Sequence, residues 1–205
     1  MFTIKLVTQE LCRILGDARE QKLPITPHIL KCICPLLSAD MNSGYWSAIL
    51  IGFYRFFRKS SLVLKSARGY DYSKQLSRSG FFVRPWGLVI CVRWSKTMQF
   101  KQRRWLIPVV PLPPGQPLCP EQAYERHLRC HPAPSFSPAF LGSSDGDIKP
   151  ITYDSLGTKL RCVLASASLD PSKYPHSLLT SRLCVLCLQV WLPCRAHQPP
   201  GRLVI

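Results

Sequence analysis

The sequence predicts a mainly α fold with a small antiparallel β element, a hairpin or a three-stranded sheet. Three observations lead there. Trp46, Ile49, Leu50, Phe53, Tyr54 and Phe57 recur at helical spacing. Thr26 and Thr152 each precede a run of helical period, as an N-cap does. Between those runs the period changes: residues 88–94 and 105–109 are dense in β-branched and aromatic residues.

The elements follow in chain order. Residues 1–22 read as a helix with a loose apolar face of Leu6, Leu11, Ile14 and Leu15, and Gly16-Asp17 as a break. Pro24 and Pro27 hold an extended linker. A helix restarts with Thr26 as cap and Pro27 as its first residue, and runs through Ile29, Leu30, Ile33 and Cys34. Cys32 and Cys34 read as core packing. Residues 44–65 form the strongest helical segment, apolar nearly all round and therefore buried. Residues 88–94 form a strand, and residues 105–109 return as an edge strand because Pro108 removes a backbone donor. Residues 111–120 are a proline-rich loop. Pro120 opens a helix to about Arg129, and residues 131–150 read as a surface loop. Thr152 caps a last helix through Leu156, Leu160, Val163 and Leu164.

Length and composition exclude several classes. A chain of 205 residues can bury a core without staples. An apolar fraction of 46% argues against long disorder. No apolar run reaches the length of a membrane span, and no secretory signal opens the chain. The ten cysteines are therefore expected mostly as buried thiols or metal ligands rather than a disulfide framework. The charge is lopsided, with 27 Lys and Arg against 11 Asp and Glu. A net +16 points to nucleic acid or an anionic surface as partner, not to a small-molecule substrate.

That charge is concentrated. Residues 55–104 hold thirteen Lys and Arg and one acid, Asp71. Aromatic residues Tyr70, Tyr72, Phe81, Phe82, Trp86, Trp94 and Phe100 are interleaved. The bases span helix and strands rather than one amphipathic face, which favours a phosphate backbone over a membrane surface. Arg55, Lys59, Lys65, Arg93, Lys101, Arg103 and Arg104 are the candidate DNA-binding residues.

The segment Gly52-Phe53-Tyr54-Arg55-Phe56-Phe57-Arg58-Lys59-Ser60-Ser61-Leu62 resembles the first catalytic box of the tyrosine recombinases, where an arginine ends a buried helix, commonly as R-x-x-E-L. Arg58 takes the arginine place and Leu62 the leucine place; Ser61 stands where glutamate is common. Val92-Arg93-Trp94-Ser95-Lys96-Thr97 resembles the hairpin that carries the family's lysine, and Leu106-Ile107-Pro108 its returning strand. The wording is most similar to eukaryotic mobile-element recombinases of the DIRS and Crypton types, as are Leu118-Cys119-Pro120 and Leu169-Asp170-Pro171-Ser172-Lys173-Tyr174. The resemblance covers about residues 20–176.

The resemblance implies a recombinase catalytic core over residues 24–176, preceded in 1–23 by the end of a SAM-like core-binding domain. It implies double-stranded DNA as partner, a homo-oligomer assembled on it, a nuclear location and no cofactor. The family's chemistry accounts for the residue types. A tyrosine attacks the phosphodiester, two arginines clamp its non-bridging oxygens, and a lysine protonates the leaving oxygen. By resemblance Arg58, Lys96 and His176 fill three of these catalytic places. The set is incomplete. The family's H-x-x-R box needs an arginine three residues after the histidine, and Leu179 is there. No tyrosine follows Tyr174. Strand cleavage is therefore not expected of this chain.

Residues 177–205 are foreign in composition and are expected to lack order. Residues 175–205 contain no Asp, Glu or Lys. A shifted reading frame explains them. One coding of residues 197–205, CAT CAG CCA CCA GGG CGA CTG GTC AT, read one base later gives Ile-Ser-His-Gln-Gly-Asp-Trp-Ser, close to the family's later His/Trp segment. Residues 178–182, coded CTC CTT ACG TCG CGG C, give Ser-Leu-Arg-Arg-Gly in that same frame, the arginine half of the box. Residues 184–188 can hide Val-Ser-Phe-Ala-Phe. Cys184-x-x-Cys187 with Cys194-x-x-His197 is spaced too tightly for a usual zinc finger, so no metal is expected. Two alternatives stand beside DNA binding: a transposon relic or mispredicted gene, and a zinc-dependent interaction module in this tail.

Overall fold

The computed structural model describes residues 23–174 apart from 56, 58, 94–104, 114 and 145. The expected helix in residues 1–22 and the foreign tail lie outside these. The described residues form five helices, a three-stranded antiparallel sheet and a two-stranded hairpin.

Helix α1 spans Pro27–Leu37. The Thr26 hydroxyl accepts from the Ile29 N–H at 3.4 Å, satisfying one of the otherwise unpaired first-turn donors. Ile29, Leu30, Ile33 and Leu37 form its buried face. Cys32 is exposed, 3.8 Å from His28 Nε2, so the expectation of core packing fails for it; Cys34 is partly buried against the core. At helical spacing Cys32 falls two residues from Leu30 and so turns away from the buried face.

Helix α2, Ser43–Arg55, is the central element, and every residue from Trp46 to Phe53 is buried. The sequence suggested one helix to residue 65. Instead α2 ends at Arg55, and a short α3, Lys59–Leu62, follows. The reason is tertiary. Leu64 is extended and bridges Thr152; its N–H donates to Ile151 O at 3.4 Å, and Tyr153 N–H donates to Leu64 O at 2.7 Å. A helix through Leu64 would use those backbone groups internally.

The sheet has the order β1-β2-β3, with β1 Phe81–Arg84, β2 Gly87–Val92 and β3 Trp105–Val109. All six residues of β2 are buried, which fits a central strand reading as one apolar run. The register aligns Phe81 with Ile90 and Ile90 with Ile107. Strand β3 lies at the edge, as Pro108 requires.

Helix α4, Pro120–Cys130, packs on α2. Phe81 of β1 stacks on Tyr124 of α4 with centroids 4.3 Å apart, and Phe140 meets both edge-on. This aromatic group ties sheet, helix and hairpin together. The hairpin, β4 Leu141–Ser144 with β5 Asp147–Pro150, corrects the expected surface loop over 131–150. Ala139, Phe140 and Leu141 are buried there because β4 lies against α2. The signal was present as Asp145-Gly146, a hairpin-turn dipeptide. Helix α5, Tyr153–Ser166, opens with a reciprocal capping box between Thr152 and Ser155. Leu23 N–H donates to Lys173 O at 2.7 Å, so the two ends of the described chain meet. Among the described residues, no helix is long and apolar enough to cross a membrane.

Candidate nucleic-acid interface

The basic stretch 55–104 begins at the end of α2 and closes at the start of β3. Residues 105–174 hold six bases and six acids, so most of the excess charge lies in one stretch of the chain. The only acid in the basic stretch is already engaged. Asp71 Oδ1 accepts from Ser73 N–H at 2.9 Å and Ser73 Oγ at 2.7 Å, and Oδ2 pairs with Lys74 Nζ at 3.0 Å. The Ser73 hydroxyl first, then Lys74, hold its carboxyl down at about 2. Asp71 therefore stays charged at neutral pH, and Lys74 balances it locally.

The described candidates fall in different settings. Arg55 closes α2, half-buried, and its Nε is buried without a hydrogen-bond partner. Burial pushes its guanidinium pKa down. Lys59 opens α3. Lys65 is exposed beside the Leu64–Thr152 bridge. Arg93 stands where the chain leaves β2. Its Nη2 donates to Tyr72 Oη and to Ser79 Oγ, each at 3.1 Å; its Nη1 donates to Tyr72 O at 3.4 Å. The guanidinium also lies 4.4 Å from the centre of the Tyr72 ring. Sequence reading marked Tyr72 only as an interleaved aromatic and missed Ser79. No local signal links Ser79 to an arginine fourteen residues on.

Arg58, Lys96, His176, Lys101, Arg103 and Arg104 lie outside the described residues. The structure therefore places none of the three expected catalytic residues. It does place the strands on either side of Lys96: Val92 pairs with Trp105, so residues 93–104 are the β2–β3 connection. That connection carries Arg93, Lys96, Lys101, Arg103 and Arg104 and no acid.

A second polar group is buried between α2 and α4. Arg78, Tyr124, His127, His131 and Ser43 all lie in it. The Arg78 guanidinium donates to His131 O, and the segment around it interlocks with residues 135–139 through Arg78 N–H to Ser137 O at 3.0 Å and Ser79 N–H to Ser135 O at 2.8 Å. His131 Nδ1 lies 3.2 Å from Ser43 Oγ, whose proton goes to Asp40 O. His127 Nε2 lies 3.3 Å from both Ala139 O and Leu141 N, while its Nδ1 is buried without a hydrogen-bond partner. Burial first, then Arg78 and His131, push its pKa down to about 3. This group joins elements of the core. Among the described residues, no group of three or more His, Cys, Asp or Glu is placed to hold a metal ion.

The described residues thus make a mixed helical and β protein. Comparison with protein-family models, curated proteins and solved structures finds no match.

Proposed function

We propose that the chain grips double-stranded DNA through its basic stretch, as a derivative of a tyrosine-recombinase catalytic core, and does not cut the strand. The observation that carries this reading is the charge asymmetry. Residues 55–104 hold thirteen bases and run from the end of α2 through β1 and β2, and their single acid, Asp71, is paired with Lys74. A duplex offers a regular array of phosphates to such a stretch. The order of elements supports the recombinase origin: a buried helix ending at Arg55, then an antiparallel sheet whose β2–β3 connection carries Lys96. The absence of cleavage rests on Leu179, which cannot neutralise a phosphorane oxygen as an arginine does.

Binding to a labelled duplex of arbitrary sequence, followed by fluorescence anisotropy, tests the first part. Affinity is expected to fall by roughly a thousandfold between about 50 and about 200 mM salt, the behaviour of about six phosphate contacts. Salt-independent binding, or none, would remove the reading. A nicked suicide duplex tests the second part: the expected result is no covalent protein–DNA adduct on a denaturing gel. A trapped adduct would show a nucleophile at work. The shifted reading frame inferred for the tail predicts that the transcript across codons 165–205 encodes a box arginine and a later tyrosine in the next frame. A transcript without them makes the tail authentic.

A further inference from the structure

Arg93, Tyr72 and Ser79 form a closed triangle. Arg93 Nη2 is 3.1 Å from each hydroxyl oxygen, and the two hydroxyls are 2.9 Å apart. Ser77 Oγ extends the row, 3.0 Å from Ser79 Oγ. The group therefore holds one guanidinium and three hydroxyls, and no carboxylate pairs with that guanidinium among the described residues. The nearby acid, Asp71, faces Ser73 and Lys74 instead. A guanidinium with no carboxylate partner among the described residues keeps its charge for a charge-assisted bond to an anion. Its orientation is set in advance by stacking on Tyr72, so little freedom is lost on binding.

The position adds a second argument. The turn holding Ser79 abuts β2: a Cβ placed on Gly80 would stand 3.2 Å from Cys91 O. The triangle is thus anchored to the sheet at the root of the basic β2–β3 connection. The geometry points to this triangle as the seat of one backbone phosphate of the bound DNA, with Arg93 supplying the charge and Tyr72 and Ser79 holding its guanidinium in place. Resting on the DNA-binding reading above, it deepens that reading by naming one contact that sets where the hairpin sits along the duplex.

The test is the salt dependence of duplex binding by the full chain. Arg93→Gln is expected to lower affinity several-fold and to reduce the slope of log K against log salt by about one. Arg93→Lys should keep the slope, because a phosphate contact needs the charge. Ser79→Asp retains Arg93 and its stacking but puts a carboxylate where the phosphate would sit, so it should also reduce the slope by about one. Lys149→Gln, in the ion pair with Asp147 on β5, serves as control and should leave the slope unchanged.

If the parent binds with a steep slope and both Arg93→Gln and Ser79→Asp keep it, Arg93 is an internal strut and the phosphate seat is wrong, while DNA binding stands. If the parent shows no salt-dependent binding, both ideas fall together. Competition by inorganic phosphate beyond its ionic strength, lost in Arg93→Gln, would make the triangle a site for a free phosphate group and overturn the backbone assignment.

Discussion

Gly44→Ala is expected to destabilise the fold by roughly 3 kcal/mol or more, enough to unfold many single domains. Gly44 lies in the first turn of α2, where that helix passes β4. A Cβ built there falls on the carbonyl oxygen of Leu141, with the carbonyl carbon at 2.9 Å and His127 Cε1 at 3.1 Å. The obstructing atoms are backbone, so no rotamer change relieves the overlap. Relief requires α2 or β4 to shift, and both are packed against the core. Gly146→Ala is the contrast. Gly146 has a φ of 83° and nothing within 4 Å of an added Cβ, so its cost is backbone strain alone, about 1 kcal/mol. Urea denaturation of the parent and both variants checks this. Equal midpoints for Gly44→Ala and the parent would mean that the helix–hairpin approach is looser than the structure has it.

Mild acid is expected to weaken the fold well before the carboxylates titrate. His127 is fully buried on α4, faced by Arg78 from the 70–80 segment, His131 and Tyr124 from its own end of the fold, and Ala139 O and Leu141 N from the segment that leads into β4. No acid is among these groups. The folded protein therefore holds His127 neutral down to about 3, against an ordinary value of 6.5. A histidine with a lowered folded pKa is protonated first in the unfolded chain. Stability is thus full above about pH 6.5 and falls by about 1.4 kcal/mol for each pH unit below it. At about pH 5 the loss from His127 alone is about 2 kcal/mol, and His131, lowered for the same reasons, moves in the same direction. Asp40 and Asp71 are also lowered, but their contributions are lost only as pH falls below the ordinary carboxylate range, a separate and more acid window. Urea midpoints at about pH 7.5 and about pH 5 test the effect. His127→Gln should flatten the difference. Equal midpoints in the parent at the two pH values would refute a neutral buried His127.

The elements that were legible in the amino-acid order are those specified by near neighbours. Thr26 with Pro27, and Thr152 with Ser155, start their helices through contacts three residues apart. The apolar period of 46–57 and the β-branched run of β2 name their partners only as a buried environment, and Trp46, Ile49, Leu50, Phe53, Phe57 and all of β2 are buried. Charge distribution is likewise a property of composition along the chain. Pro108 gave β3 its edge position because a missing N–H has the same consequence in any sheet.

What the order of residues left open depends on partners far away in the chain. The helix expected over 44–65 stops at Arg55, and Leu64 bonds instead to Ile151 and Tyr153. The 139–150 segment was misjudged because its burial is set by α2. The candidate site divides in the same way. Its excess of bases was visible at once, whereas the grouping of Arg93 with Tyr72 and Ser79 needed the sheet to bring them together. Ser43 and His131, 88 residues apart, share a buried hydrogen bond that no local pattern encodes. Caps, periods and charges act over a few residues of chain; helix ends, buried polar pairs and binding geometry arise from close packing of segments that only the folded chain brings into contact.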